Sequence, residues 1–232
     1  MANWFLGRAL AEEAEAENAP WSFLGEGAAF WVTVAVLLVA GVAVYLVTRK
    51  KSSKKSFWTA KTMAVGAMCM ALSSVLSLIK LWSMPMGGSV TPASMLPLLL
   101  FAYCYGVGPG MVLGALYGVM QFLLDGMAWA ALGAIPNLLD YPIAFGLLGL
   151  AGCFRGSKAK MTAGFVLGCF GRFMASFLSG FIFYGQYAPE GVNPVWYSLT
   201  YNGSYMLVEC IICIALGLLV GERLAKELKK VA

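Results

Sequence analysis

Histidine is absent from this chain, and charged residues are few. None of the 232 residues is histidine, and Asp, Glu, Lys and Arg together make up 12% of them. Histidine is a common general base and metal ligand, so its absence argues against both kinds of site. Soluble domains carry about 25% charged residues. The low charge, together with 60% hydrophobic residues, therefore indicates an integral membrane protein.

Sequence signatures of catalysis and of nucleotide binding are missing as well. The chain has no Gly-x-x-x-x-Gly-Lys-Ser/Thr loop, the usual phosphate-binding loop of ATP sites. We predict no catalytic residue, no metal site and no cofactor, and the protein is not expected to be an enzyme. The net charge of +5 comes from basic loops and does not indicate nucleic acid. This pattern favours a binding subunit that works with other proteins, or else a stand-alone facilitator or ion-coupled carrier.

Seven apolar stretches are predicted to cross the lipid bilayer as helices. Their length fits helices and they lack the alternation of a transmembrane β-barrel, so the fold class is all-α. The third stretch is short and is expected to break at Gly106-Val107-Gly108-Pro109-Gly110. The predicted spans are 28–48, 57–81, 93–105, 111–124, 137–154, 161–184 and 198–220.

The basic residues predict the orientation of these spans. Thirteen of the sixteen Lys and Arg fall at ends that alternation places on one side of the membrane, whereas the loops 82–92, 125–135 and 185–197 have neither. Cytoplasmic loops carry the excess of Lys and Arg. We therefore expect seven spans with the acidic N-terminus outside.

Asp140 is the acidic residue that most needs an explanation. It opens the apolar run that continues to Phe154, where a carboxylate is costly unless it has a partner or a ligand. Aromatic and amide side chains near the same outer ends would form a pocket for a flat organic cation. The alternative is an ordinary aromatic belt at the membrane interface. The pocket would draw on Trp82, Trp129, Asn137, Tyr141, Tyr184, Tyr187, Trp196, Tyr197, Tyr201 and Asn202.

Two further features lie within the spans. Arg172 and Glu209 should both lie near the midplane, where a single charge is costly, so we predict that they form an ion pair.

Ala67 and Ala71 are small residues one helical turn apart in the second span. This spacing allows another helix to approach closely, either within the protein or from a partner subunit.

Four motifs carry a resemblance to a known family. They are Leu138–Gly152 (LLDYPIAFGLLGLAG), Ser179–Gly191, Tyr197–Met206, and Trp82 with Pro85-x-Gly87-Gly88-Ser89. Together they resemble the thiamine-specific substrate-binding (S) subunits of energy-coupling-factor (ECF) transporters, over roughly residues 57–230. The resemblance implies a six-helix bundle in residues 57–232. The acidic arm 1–27 and the extra helix with its basic linker, 28–56, are additions.

The resemblance also implies partners and a mode of action. The S subunit of the family binds its vitamin from outside under the loop that is 82–92 here, and then joins a membrane coupling subunit and two ATPases. Ala67 and Ala71 match the family's docking motif for the coupling subunit. A bacterial multi-pass membrane protein is expected.

The same resemblance assigns the substrate-binding residues. Asp140 stands in place of the usual Glu that holds the aminopyrimidine of thiamine. Tyr184 and Ser176 stand where a stacking Trp and a His are usual, which leaves thiamine precursors or related cationic heteroaromatics as alternatives. Stacking or covering of the rings is expected from Trp82, Tyr184 and Trp129, and polar contacts from Tyr141, Tyr197 and Asn202.

Overall fold

The computed structural model describes residues 59–85, 87–125, 134–189 and 191–231, and these form a helical bundle. The predicted arm 1–27, the extra span 28–48 and Trp129 lie outside the described residues. The helices are α1 (Ala60–Leu78), α2 (Leu96–Tyr105), α3 (Val107–Leu124), α4 (Ala134–Cys153), α5 (Lys158–Phe183), α6 (Pro194–Leu216) and α7 (Glu222–Val231).

Five of these helical segments are long and apolar enough to cross a membrane. They are α1, α3, α4, α5 and the segment Pro194–Leu228, which a π-helical stretch at Gly217–Gly221 extends from α6 into α7. The apolar helix α2 has 10 residues, about 15 Å at 1.5 Å per residue. All ten of its residues are buried, so α2 forms the centre of the bundle instead of a lipid-facing span.

The sequence prediction placed several helix ends incorrectly. Gly106, with a φ angle of +110°, is the one residue between α2 and α3. The helix resumes at Val107, so the expected break does not extend to Gly110. Helix α6 begins at Pro194 and includes part of the predicted outer loop, because Asn193 caps it by accepting a 2.9 Å hydrogen bond from the amide of Val195.

The Asp140-Tyr141-Pro142 motif lies in a π-helical turn within α4. Helix α4 is α-helical from Ala134 to Leu138 and π-helical from Leu139 to Ile143, and it ends as a 3-10 helix from Leu148 to Cys153. Proline has no amide hydrogen to continue the α-helical pattern. Single π-turns of this kind occur often at functional sites. Pro142 thus accounts for the irregular turn that contains Asp140.

A row of glycines on α3 fixes the position of α4. A Cβ atom at Gly114 would collide with the carbonyl oxygen of Phe145, and one at Gly118 with that of Tyr141. The two backbones therefore touch, as small residues allow in membrane bundles. This contact holds the turn that carries Asp140 against α3.

Helices α5 and α6 approach each other in a similar way at Gly180. A Cβ atom there would collide with the hydroxyl of Ser198 and would lie 2.9 Å from the amide nitrogen of Asn202. The close approach brings polar residues of both helices to the same end of the bundle.

A short β-hairpin replaces the predicted loop 82–92. Strand β1 (Trp82–Ser83) pairs antiparallel with β2 (Ser89–Val90), with Trp82 opposite Val90. Gly87 and Gly88 form its turn with φ angles of +86° and +82°, a region that favours glycine. The hairpin leads directly to the buried start of α2 and lies beside α6.

Candidate substrate-binding cavity

A cavity of about 120 Å³ lies between the hairpin and the ends of α3, α4, α5 and α6. Its wall combines one face of the hairpin turn with acidic, basic, hydroxyl and aromatic side chains. The lining residues are Gly87, Gly88, Ser89, Gln121, Asp125, Asp140, Tyr141, Phe145, Arg172, Ser176, Gly180, Tyr184, Tyr187, Tyr197, Ser198, Tyr201, Asn202 and Tyr205.

Asp140 is the half-buried acid of this wall. Its Oδ2 atom accepts a 2.7 Å hydrogen bond from the hydroxyl of Ser179 on α5. Ser176 and Tyr184 flank the same carboxyl group. Each carboxylate oxygen can accept more than one hydrogen bond. Asp140 therefore keeps acceptor capacity toward the cavity while Ser179 holds it in place.

Tyrosines surround much of the cavity. The rings of Tyr197 and Tyr201 lie 5.7 Å apart between centroids, and those of Tyr184 and Tyr187 lie 6.4 Å apart. Burial raises the pKa of Tyr184, and the neighbouring charge of Asp140 raises it further. The Tyr184 phenol therefore stays protonated and able to donate a hydrogen bond. An acid among aromatic faces suits a flat cation.

Asn202 is held in one orientation by a local network. Its amide nitrogen donates to the carbonyl oxygen and the hydroxyl of Ser198, at 3.1 and 3.2 Å. The hydroxyl of Tyr205 donates to the side-chain oxygen of Asn202 at 3.1 Å, and Ser198 donates to the carbonyl of Phe177 at 2.8 Å. The network fixes the polar side of the cavity without a charge.

Arg172 lines the cavity and does not pair with Glu209, so the predicted ion pair is wrong. The guanidinium carbon lies 4.1 Å from the centre of the Phe145 ring, an attractive cation–π geometry. Its Nε and Nη1 atoms are buried and have no hydrogen-bond acceptor among the described residues. Arg172 therefore presents a positive group to the same cavity as Asp140.

Glu209 lies elsewhere, at the foot of the hairpin. Its Oε1 atom accepts hydrogen bonds from the hydroxyls of Thr91 and Ser94, at 2.6 and 2.8 Å. Neutral hydroxyl groups take the place that the sequence prediction had given to Arg172. They satisfy a carboxylate without the cost of burying a second charge.

An ion pair at the rim joins the segment that follows α1 to the residue that ends α3. Lys80 donates a 2.8 Å hydrogen bond to Oδ1 of Asp125, and both side chains are substantially exposed. Asp125 lines the cavity as a second acid. Exposed pairs of this kind contribute little to stability. Lys80 lies in the segment that leads to the hairpin, so the pair contributes to the position of the rim.

The structure brings most of the predicted site residues together. Trp82, in contrast, is 58% exposed on β1 and is not among the lining residues, and Trp129 lies outside the described part of the chain. Ala67 and Ala71 are exposed on α1, away from the cavity. Asn137 and Trp196 are likewise not among the lining residues. The predicted residues that do line the cavity are Asp140, Tyr141, Ser176, Tyr184, Tyr187, Tyr197, Tyr201 and Asn202.

Several residues of the site did not stand out in the sequence. Ser179, Gln121, Phe145 and Tyr205 carry no charge and occur in apolar helices where such residues are ordinary. Helical spacing could have pointed to some of these residues, because residues three or four positions apart lie on the same face of a helix. On α5 that face carries Arg172, Ser176, Ser179 and Gly180, and on α6 it carries Ser198, Tyr201, Asn202 and Tyr205.

Comparison with known families decides the identity of this fold. The family model described as thiamine transporter protein (Thia_YuaJ) matches residues 63–228, the part of the chain that contains the cavity. The chain belongs to this family. The resemblance to thiamine-specific S subunits of ECF transporters is thereby confirmed, and this bacterial-type multi-pass membrane protein is a transport protein, not an enzyme.

Two curated members of the thiamine transporter family are similar in sequence. The thiamine transporter ThiT of Bacillus subtilis is 39% identical over 145 residues, which cover 56% of this chain and 73% of that protein. ThiT of Lacticaseibacillus paracasei is 33% identical over 134 residues, covering 52% of this chain and 67% of that protein.

A solved structure of ThiT from Listeria monocytogenes shares the fold. It superposes with a TM-score of 0.63 at 20% identity, over 72% of this chain and 96% of that chain. The five membrane-length segments and the short helix α2 of the described residues thus share a ThiT-like fold.

Proposed function

We propose that this chain captures thiamine in the cavity beneath the hairpin and delivers it to an ECF module. The observation that carries the proposal is the hydrogen-bonded carboxylate of Asp140 in a cavity walled by tyrosines. Thiamine is a cation with two flat rings, an aminopyrimidine and a thiazolium, joined by a methylene group. Its amino group donates hydrogen bonds, its rings can stack, and its thiazolium charge is attracted to aromatic faces and to carboxylates.

Each side of the cavity offers a distinct contact. Asp140 accepts hydrogen bonds from the aminopyrimidine. Tyr184 stacks on a ring and Tyr141, Tyr197 and Asn202 supply polar contacts. Arg172 brings donors, which suit the ring nitrogens or the hydroxyl oxygen of the ligand. Trp82, exposed on the hairpin, is proposed to cover the rings when the ligand is bound, and the same role is proposed for Trp129.

A titration of the purified protein tests the ligand. Thiamine should quench the intrinsic tryptophan fluorescence in a saturable way at micromolar concentration or below. The aminopyrimidine and thiazole halves of thiamine serve as competitors, because Tyr184 and Ser176 replace the Trp and His that are usual at these positions. If thiamine gives no saturable signal but its aminopyrimidine or thiazole half does, the ligand would instead be a precursor of thiamine.

We further propose that Ala67 and Ala71 dock a membrane coupling subunit, which carries two ATPases. Both residues are exposed on α1, beside the exposed side chains of Met63, Met68 and Leu72. A flat strip of small residues on a lipid-facing helix allows close helix contact. The buried Gly66, which packs against Leu113 and Phe101, faces the opposite side, toward the bundle.

Uptake and binding measured together test the docking proposal. The double substitution Ala67→Leu/Ala71→Leu should leave thiamine affinity unchanged and abolish uptake in cells that express an ECF module. Ala163→Leu, at an exposed position on α5, is the matched control and should retain uptake. Uptake by this chain in vesicles without any ATPase would instead identify a stand-alone facilitator.

The orientation completes the proposal. Seven spans with the N-terminus outside would place the hairpin and the cavity on the outer face, and the basic segments near 155–160 and 223–230 inside. A membrane-impermeant maleimide should label Val192→Cys and not Lys158→Cys in intact cells, with the unsubstituted chain as the blank. The reverse labelling would overturn this orientation.

A further inference from the structure

The segment from Gly87 to Ser94 runs along α6. At its outer end the hydroxyl of Tyr201 donates a 3.0 Å hydrogen bond to the carbonyl of Gly87, and the ring of Tyr205 packs so closely on Gly88 that a Cβ atom there would lie 2.8 Å from it. At the inner end the segment meets Glu209. A single helix thus contacts both the turn and the foot of the hairpin.

Glu209 is the charged member of this contact. It is 1% exposed and does not line the cavity, so it has no direct contact with a ligand there. A buried carboxylate is costly unless hydrogen bonds satisfy it. Those that Glu209 accepts come from Thr91 and Ser94, both buried, and the hydroxyl of Thr91 in turn accepts a 3.0 Å bond from the amide of Ser94.

The backbone at the same place is in a disfavoured conformation. Ala93, between the two donors to Glu209, has a φ angle of +67° and is 1% exposed. Residues other than glycine seldom adopt this left-handed region, and they keep it only where surrounding contacts impose it. Hydrogen bonds from Thr91 and Ser94 to one carboxylate oxygen hold the chain on both sides of Ala93, whose amide donates a 2.8 Å bond to the carbonyl of Thr91.

We propose that Glu209 is a positioning residue that clamps the foot of the hairpin and so sets how long a ligand is retained. Gly87, Gly88 and Ser89 form the outer wall of the cavity, and the ligand leaves when this wall moves away. Loosening the foot frees the wall without altering any group that touches the ligand. The retention half of this inference rests on the proposed function, whereas the clamp itself does not.

Two measurements on the full chain test the clamp. Hydrogen exchange of residues 82–94 in the ligand-free protein reports the mobility of the hairpin, and stopped-flow fluorescence reports the dissociation rate of thiamine. The variants are Glu209→Met, Thr91→Val and Ser94→Ala. The conservative variant Glu209→Gln keeps a side-chain oxygen that can accept both hydrogen bonds. Thr162→Val is the control, because the hydroxyl of Thr162 donates to the carbonyl of Lys158 at the start of α5, the end of that helix away from the cavity.

The expected result is faster exchange confined to 82–94 in Glu209→Met, with dissociation about tenfold faster and association little changed, as loss of hydrogen bonds to a charged group allows. Thr91→Val and Ser94→Ala should show part of this effect, and Glu209→Gln should resemble the unsubstituted protein. Thr162→Val should change neither measurement.

Unchanged exchange and dissociation in Glu209→Met would overturn the proposal. So would faster exchange spread evenly over the bundle, since that would make Glu209 a general structural residue. If Glu209→Met does not fold, the variants Thr91→Val and Ser94→Ala provide the test. The clamp is then overturned if both variants exchange at residues 82–94 as slowly as the unsubstituted chain. If the unsubstituted chain binds no thiamine, the proposed function fails, and the exchange measurement alone still decides the clamp.

Discussion

Ser179 on α5 donates a 2.7 Å hydrogen bond from its hydroxyl to Oδ2 of Asp140 on α4. The bond crosses a helix–helix contact within the bundle and orients the acid of the cavity through a neutral partner. A cationic partner, in contrast, would compete with a cationic ligand for the same carboxylate. The neutral bond is therefore compatible with an acid that has to attract and hold a cation.

Removal of this hydroxyl should weaken ligand binding modestly. In Ser179→Ala, Asp140 keeps its charge and loses only its orienting bond, so we expect thiamine to bind about 3- to 20-fold more weakly, less than the roughly 10- to 150-fold that corresponds to full loss of one hydrogen bond to a charged group. Calorimetric titration measures the change. The matched control is Ser204→Ala on α6, whose exposed hydroxyl donates to the carbonyl of Tyr201, and it should bind like the unsubstituted chain.

Removal of the negative charge of Asp140 should weaken thiamine binding more than removal of the Ser179 hydroxyl. Asp140→Asn has nearly the same size but lacks the negative charge, and its amide group can turn a donor toward the amino group of the ligand. We expect thiamine affinity to fall about 10- to 100-fold or more. Fluorescence titration and calorimetry provide the measurement.

Glu227→Gln is the control for that experiment, because it removes an exposed carboxylate that pairs only with Lys230 at 2.6 Å among the described residues. Its affinity should be unchanged. Equal affinity of Asp140→Asn and the unsubstituted protein would mean that the ligand does not contact Asp140, and the proposed role of this residue would be lost.

The sequence predicted the parts of this protein that depend on composition and on charge. Apolar length placed the starts of the five described membrane-length segments to within a few residues, because a helix that crosses a bilayer needs about 20 apolar residues. The anomalous acid Asp140 lies in the cavity, as expected for a carboxylate placed in an apolar run. Motif resemblance added Ser176, which no charge argument would have selected.

The remaining features depend on contacts between helices that the sequence does not contain. The sequence predicts an ion pair between Arg172 and Glu209, because burying two opposite charges costs less free energy when they lie side by side. The structure instead gives Arg172 an aromatic ring and Glu209 two hydroxyls, at distances of 4.1 Å and 2.6–2.8 Å. Local pattern could not predict which neutral groups would meet each charge, since the hydroxyls come from the hairpin, 115 or more residues away.

The glycine row on α3 allows a test of how packing controls the site. In Gly118→Ala the new methyl group collides with the carbonyl of Tyr141 and would lie 2.8 Å from the Cα of Pro142. Overpacking of this kind costs about 1–3 kcal/mol. We expect a lower melting temperature and weaker thiamine binding, because the turn that carries Asp140 and Tyr141 is pushed away.

Gly108 provides the control on the same helix. Apart from its own helix backbone, no atom of the described residues lies within 4 Å of a Cβ built at Gly108, so Gly108→Ala should leave both the melting temperature and the affinity near those of the unsubstituted protein. Similar behaviour of the two variants would show that α3 and α4 can separate without consequence, which contradicts the role given to their contact.

The turn of the hairpin allows a final prediction about access to the cavity. Gly88→Ala combines two penalties: a φ angle of +82°, which side chains disfavour, and a Cβ atom 2.8 Å from the ring of Tyr205. Gly191→Ala has the first penalty alone, at a φ of +79°, because no atom of the other described residues lies within 4 Å of the added Cβ. Both variants should lose a similar amount of stability from the backbone, but only Gly88→Ala should also release thiamine faster in stopped-flow measurements. Faster release from both would attribute the effect to backbone strain in general, and unchanged release from both would mean that the contact of Gly88 with Tyr205 does not hold the outer wall of the cavity.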